Sequence, residues 1–212
     1  MPDNDSSMVF NYRTLRLIVG IIAFALPFTV SLVSSSSLTS ISASYYTEAR
    51  DAFVGMLFVV GAFLFAYNGH SVYQAWASKV AAVAAIFVAI CPTSCDNCDV
   101  TTTSTIHYVA AAILFLILAY FCFGPFRTNT KGQGGKKGLR SKIYFICGSV
   151  IVASMLSLVI TKLTTLDDKL HVISYTYWAE AVSLCAFGFA WFVAGKYFSI
   201  FVDKKEGLRV LL

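Results

Sequence analysis

The chain has 212 residues, 58% of them hydrophobic and only 13% charged, with a formal net charge of +5. Soluble domains carry about one-quarter charged residues, so this few cannot coat a water-soluble globule of this size, and the same composition excludes intrinsic disorder. The basic residues flank apolar runs instead of clustering on one soluble surface, which favours a membrane over a nucleic-acid partner.

A spanning helix needs roughly 20 mostly apolar residues, and six runs qualify in chain order. The first covers about residues 17–36 and contains Pro27, which predicts a kink. It follows Arg13 and Arg16 as a signal peptide would, but its apolar stretch is longer than a typical signal core, so it is expected to remain as a span. The second run covers about 47–67, with Thr47 as its expected N-cap and Glu48 and Asp51 in its first turn, where the helix dipole favours negative charge. The third, about 77–93, starts late enough for the Lys79 amine to reach the interface. The fourth covers about 106–126, the fifth about 142–161 and the sixth about 175–198. Between the fourth and fifth, "RTNTKGQGGKKGLRSK" (127–142) reads as a flexible basic linker. The expected fold is therefore all-α, a single six-span bundle.

Six spans put both termini on one side, and that side then holds thirteen of the sixteen lysines and arginines. The positive-inside bias makes it the cytoplasmic side. Small residues mark helix contacts: Gly55, Gly61 and Ala66 in the second run, alanines throughout the third, and Ala186, Gly188, Ala190 and Ala194 in the sixth. The alanine-rich third helix is expected to be central, with phenylalanine-rich faces turned to lipid.

On the outer side the sequence places an acid–base set at one depth: Arg50 and Asp51 at the start of the second span, His107 at the start of the fourth and Glu180 inside the sixth. A carboxylate inside a span must pair or be protonated, so Glu180 is expected either to clamp Arg50 or to serve a site. In the second case His107 is the best general base and Glu180 the best proton donor, with Asp51 as a third candidate catalytic group. Arg50, Tyr46, Ser183 and Trp178 would then bind the ligand, Arg50 through its planar fork. The bland reading makes the tyrosines and Trp178 an interfacial aromatic belt. Cys91, Cys95 and Cys98 sit in the loop before the fourth run and suit a disulfide (Cys95–Cys98 or Cys91–Cys98), free thiols or half a metal site with Asp96, Asp99 and His107 nearby. No phosphate loop, zinc-protease pair, nucleophile elbow or haem motif is present, so no cofactor and no established metal site is expected.

Four stretches resemble the DRAM-like family, the damage-regulated autophagy modulators and relatives that remodel GPI-anchor lipids. They are "SISASYYTEARDAFVG" before the second helix, "ASKVAAV" in the third, "IHYVAAAILF" in the fourth and "WAEAVSLCAFGFAWFV" in the sixth. The resemblance covers about residues 40–195 and implies six spans with both ends cytoplasmic. The proline-rich turn of many eukaryotic members is replaced here by "YYTEAR". In detail the chain is more similar to a set of uncharacterised bacterial membrane proteins with an "RDxFVG" stretch, which implies a bacterial inner membrane. A fainter likeness to the ceramidase and adiponectin-receptor superfamily implies a three-histidine zinc site, but of His70, His107 and His171, His70 falls on the wrong side. Three functions follow as expectations: binding or remodelling of a lipid headgroup from the outer leaflet; transport through the buried Glu180 carboxylate; or a non-catalytic structural role. The partners implied are membrane lipids, and no oligomer is indicated.

Overall fold

A computed structural model describes residues 12–95, 98–164 and 174–202. Those residues form six long helices and no strand: α1 (Tyr12–Val33), α2 (Arg50–Ala66), α3 (Val72–Ile90), α4 (Thr102–Phe123), α5 (Gly135–Leu163) and α6 (Tyr175–Gly195). Each helix packs on its neighbour in sequence and α6 returns to α1, so the bundle closes into a ring, with a lesser α4–α6 contact across it. All but α2 are long and apolar enough to cross a membrane. α2 has 17 residues, about 25 Å at 1.5 Å per residue, short of a hydrocarbon core of about 30 Å.

Several boundaries differ from the sequence expectation, each for a local reason. α2 starts at Arg50 with Ala49 before it, because residues 42–46 coil into a separate 3-10 turn. Thr47 therefore closes that turn, its hydroxyl donating to the Ser44 carbonyl at 3.0 Å, instead of capping α2. Glu48 precedes α2 and accepts from the Ser35 N–H at 3.2 Å. The Glu48 and Ser35 backbone N–H groups hold its carboxyl below the ordinary carboxylate pKa. α3 begins five residues early because Ser71 caps it, accepting from the Gln74 N–H. α4 begins at a capping box made by Thr101 and Ser104, which satisfies orphan donors of the first turn.

The basic linker is half helix. α5 extends back to Gly135, and Arg140 is buried with its guanidinium donating to the Phe201 carbonyl. α6, not α3, is the central element: 61% of its apolar stretch is buried, against 39% for α3. The alanines of α3 serve instead to bring α2 close; Ser78, fully buried, donates to the Leu64 carbonyl of α2 at 2.6 Å. Ser78→Ala is expected to cost about 1 kcal/mol, in the range of intramembrane interhelical hydrogen bonds, as read by thermal unfolding in detergent.

The end of the bundle that carries Arg13 and Arg16 is filled by rings. Trp191 of α6 is surrounded by Tyr67, Phe121, Phe126 and Phe187 at centroid separations of 5.3–5.8 Å. Arg16 lies over Tyr67 and Phe126, and donates to the Tyr67 hydroxyl at 2.6 Å and to the Ala194 carbonyl at 3.0 Å. It thereby caps the C-terminus of α6, where the helix dipole favours a cation. His70 lies at this same end, on the α2–α3 turn. Partial burial, then Arg16 and Lys196, lower its pKa.

Candidate functional site

At the opposite end the chain between α1 and α2 folds over the bundle as a strap, tied down by side chains of α4 and α6 and by the α3–α4 loop. Its first anchor is α6. The Tyr177 N–H donates to the Thr39 carbonyl at 3.0 Å and Glu180 accepts from the Ile41 N–H at 2.7 Å, while the Tyr177 hydroxyl ties α6 to α1 by donating to the Pro27 carbonyl at 2.9 Å. The second anchor is α4: His107 Nε2 lies 3.0 Å from Ser42 Oγ. The third is the α3–α4 loop, where the Tyr46 hydroxyl donates to the Thr93 carbonyl at 2.6 Å.

His107 is 3% exposed, and its two ring nitrogens have different partners. Nδ1 lies 2.7 Å from the Cys91 carbonyl oxygen. A carbonyl only accepts, so Nδ1 carries the hydrogen. In the neutral ring Nε2 is then the bare nitrogen, and the Ser42 hydroxyl donates to it. The arrangement is hydroxyl to imidazole to carbonyl, a fixed tautomer bridging three segments. Ser42 was not singled out by the sequence, since a serine among so many in 34–44 carries no local signal; only the fold brings it to His107, 65 residues away.

Of the four acid–base residues expected together, the structure brings two onto the strap and leaves two outside. Glu180 is half-buried and spends its carboxylate on the strap backbone. Arg50 is exposed; its guanidinium stacks on the Tyr45 ring at 4.4 Å from the centroid and donates to the Tyr45 hydroxyl. The expected Arg50–Glu180 clamp is thus replaced by Arg50–Tyr45 and Glu180–Ile41. The cause is the 3-10 turn, which presents backbone N–H groups to α6 while α2 starts too late to deliver Arg50. Asp51 is exposed on the first turn of α2. Tyr46 and Trp178 are 51% and 60% exposed. Ser183 is fully buried, and its hydroxyl bonds back to the Ala179 carbonyl at 2.8 Å, so it faces the bundle interior and not the Glu180 contact.

The cysteines divide. Cys95 and Cys98 form a disulfide with Cα atoms 5.3 Å apart, and Cys91 is a buried thiol at the end of α3. Among the described residues no three His, Cys, Asp or Glu side chains gather as a metal site; Asp96 and His171 lie outside the described residues.

Toward the first turns of α4, the seam between α3 and α4 opens as an apolar groove of about 340 Å³. Val83, Ala84 and Phe87 form one wall and Ile106, Val109 and Ala110 the other. The Thr105 hydroxyl at its upper end is turned to its own helix, donating to the Thr101 carbonyl. Ala84 and Ala110 make the floor possible, because larger residues would close the seam. The groove's upper end is set by Thr105 and Ile106, on the turn of α4 that carries His107, and Phe87 lies about one turn of α3 from Cys91.

No protein-family model, curated protein or solved structure matches the chain.

Proposed function

We propose that the chain crosses the membrane six times, α2 included, with both termini in the cytoplasm, and that it binds a membrane lipid from the outer-leaflet side. The observation that carries the lipid reading is the α3–α4 groove, which is walled by apolar side chains of both helices. An acyl chain in it would bring its polar end to the level of the disulfide loop and the strap. The bilayer offers tails as apolar as the groove, so shape and the polar end supply the preference, not transfer from water.

The orientation rests on the basic residues gathered at the Arg16 end and on the Cys95–Cys98 disulfide at the other. The 17 residues of α2 are at the lower limit for a span, and its exposed Arg50 and Asp51 would sit among headgroups. The resemblance to the DRAM-like family, with its lipid-remodelling relatives, points the same way, and the proposed location is a bacterial inner membrane. Transport is less well supported, because the ring cluster around Trp191 fills the bundle at the Arg16 end. The strap favours one further reading, a structural role in which Glu180 and His107 only lock helices together.

The lipid reading is tested by filling the groove. Ala110→Phe or Ala84→Phe is expected to lower the lipid retained per protein by a factor on the order of ten, equivalent to about 1.4 kcal/mol. Native mass spectrometry of mildly purified protein reads this. Wild-type protein that retains no lipid, or filled variants that retain as much, would refute the reading.

A further inference from the structure

We infer that Ser42 and His107 form a nucleophile–base pair that takes the acyl group of an ester lipid seated in the α3–α4 groove; the inference rests on the lipid reading above. The geometry required of such a pair is a hydroxyl within hydrogen-bond reach of a base that a third group orients. Ser42 Oγ is 3.0 Å from His107 Nε2, and the Cys91 carbonyl, 2.7 Å from Nδ1, fixes the tautomer that leaves Nε2 able to accept a proton. A backbone carbonyl here does the orienting that a carboxylate does in other triads. Glu180 is a positioning residue: by holding the Ile41 N–H it fixes the backbone next to Ser42.

The site is also placed for a lipid substrate. Ser42 and His107 are 8% and 3% exposed, so bulk water is largely kept from the pair. The upper end of the groove, at Thr105 and Ile106, is on the turn of α4 that carries His107, which puts the ester end of a groove-bound chain at the level of the pair. Ser44, two residues on, has no such base; it is fully buried and donates to the Ile41 carbonyl.

The reaction balances with the lipid and an acceptor alone. Ser42 Oγ attacks the ester carbonyl carbon while its proton passes to His107 Nε2. The bond between that carbon and the alkoxy oxygen breaks, and His107 returns the proton to the departing alcohol. Water or an acceptor alcohol, deprotonated by His107, then attacks the acyl-serine. It releases a carboxylic acid or a new ester and restores the serine.

The experiment uses full-length protein in native-lipid nanodiscs and a long-alkyl fluorophosphonate, with the labelled residue located by peptide mass spectrometry. Retained lipid is measured on the same preparations. Labelling is expected at Ser42, absent in Ser42→Ala and unchanged at that residue in Ser44→Ala. His107→Gln is expected to slow it by about 10²-fold, the lower range of a general base's contribution. If His107→Gln does not fold, the comparison of wild type with Ser42→Ala still decides, because alanine fits wherever serine does. No label at Ser42 in protein that retains lipid would overturn the pair and leave the lipid reading standing, as would labelling at equal rates in folded His107→Gln. Wild type without retained lipid would overturn the lipid reading itself.

Discussion

Replacing Gly188 with valine is expected to separate α1 from α6 and to cost about 3 kcal/mol, the upper end of ordinary overpacking. The two helices meet backbone to backbone. A Cβ on Gly188 would lie 2.7 Å from the Gly20 carbonyl oxygen and 2.9 Å from the Phe24 nitrogen, and a Cβ on Gly20 would lie 2.9 Å from the Gly188 oxygen. Neither obstacle is a side chain that can swing away, so one helix must move. Because α6 is the most buried span and α1 is its closest neighbour, the shift would disturb the Glu180–Ile41 and Arg16–Ala194 bonds at the two ends of the seam. Thermal unfolding in detergent gives the reading, with Gly55→Ala as the control. A Cβ there meets nothing within 4 Å, and helix propensity favours alanine over glycine by about 1 kcal/mol. An unchanged midpoint in Gly188→Val would contradict the close seam.

Removing the imidazole that anchors the strap to α4 is expected to have the next largest effect. His107→Leu leaves the buried Cys91 carbonyl and the Ser42 hydroxyl without their partner, at about 1–3 kcal/mol for a buried group left unsatisfied. Glu180→Leu orphans the Ile41 N–H and falls in the same range. Glu180→Gln keeps an acceptor oxygen and is expected to unfold close to wild type. The contrast separates two physical roles for Glu180. If Gln is as damaging as Leu, the carboxylate's charge matters and a cationic partner must face it. If Gln is tolerated, the backbone hydrogen bond is what the residue supplies. Because His107 and Glu180 anchor the same strap, the double variant His107→Leu with Glu180→Leu is expected to cost less than the two single losses together.

The helices were legible because lipid imposes one rule on the backbone: every N–H and C=O must be satisfied within the segment, so long apolar runs read as helices. Their ends were less so. Ser71 and the Thr101–Ser104 box are capping signals visible in the sequence, yet hydropathy and the reach of Lys79 placed both starts inside the apolar runs. The 3-10 turn at 42–46 has no periodic pattern, and missing it moved Arg50 into a clamp that the fold does not make. The seam was half legible. Gly188 stood out among the small residues of α6, but its partner Gly20 lies among valine and isoleucine and gains meaning only when the ring closes. The depth of His107 and Glu180 was readable from their positions in the runs. Their partners were not, because those are backbone groups and one serine of a loop, and a backbone amide has no identity in a sequence.

The most direct measurement is the nitrogen chemical shift of the His107 ring in the membrane. Magic-angle-spinning NMR on protein labelled with 15N-histidine, assigned by loss of the signal in His107→Gln, separates the tautomers. A hydrogen on Nδ1 and a bare, hydrogen-bonded Nε2 are expected, with Nε2 shifting when Ser42 is replaced by alanine. A ring protonated on Nε2 alone, or an Nε2 signal indifferent to Ser42→Ala, would contradict the strap as described.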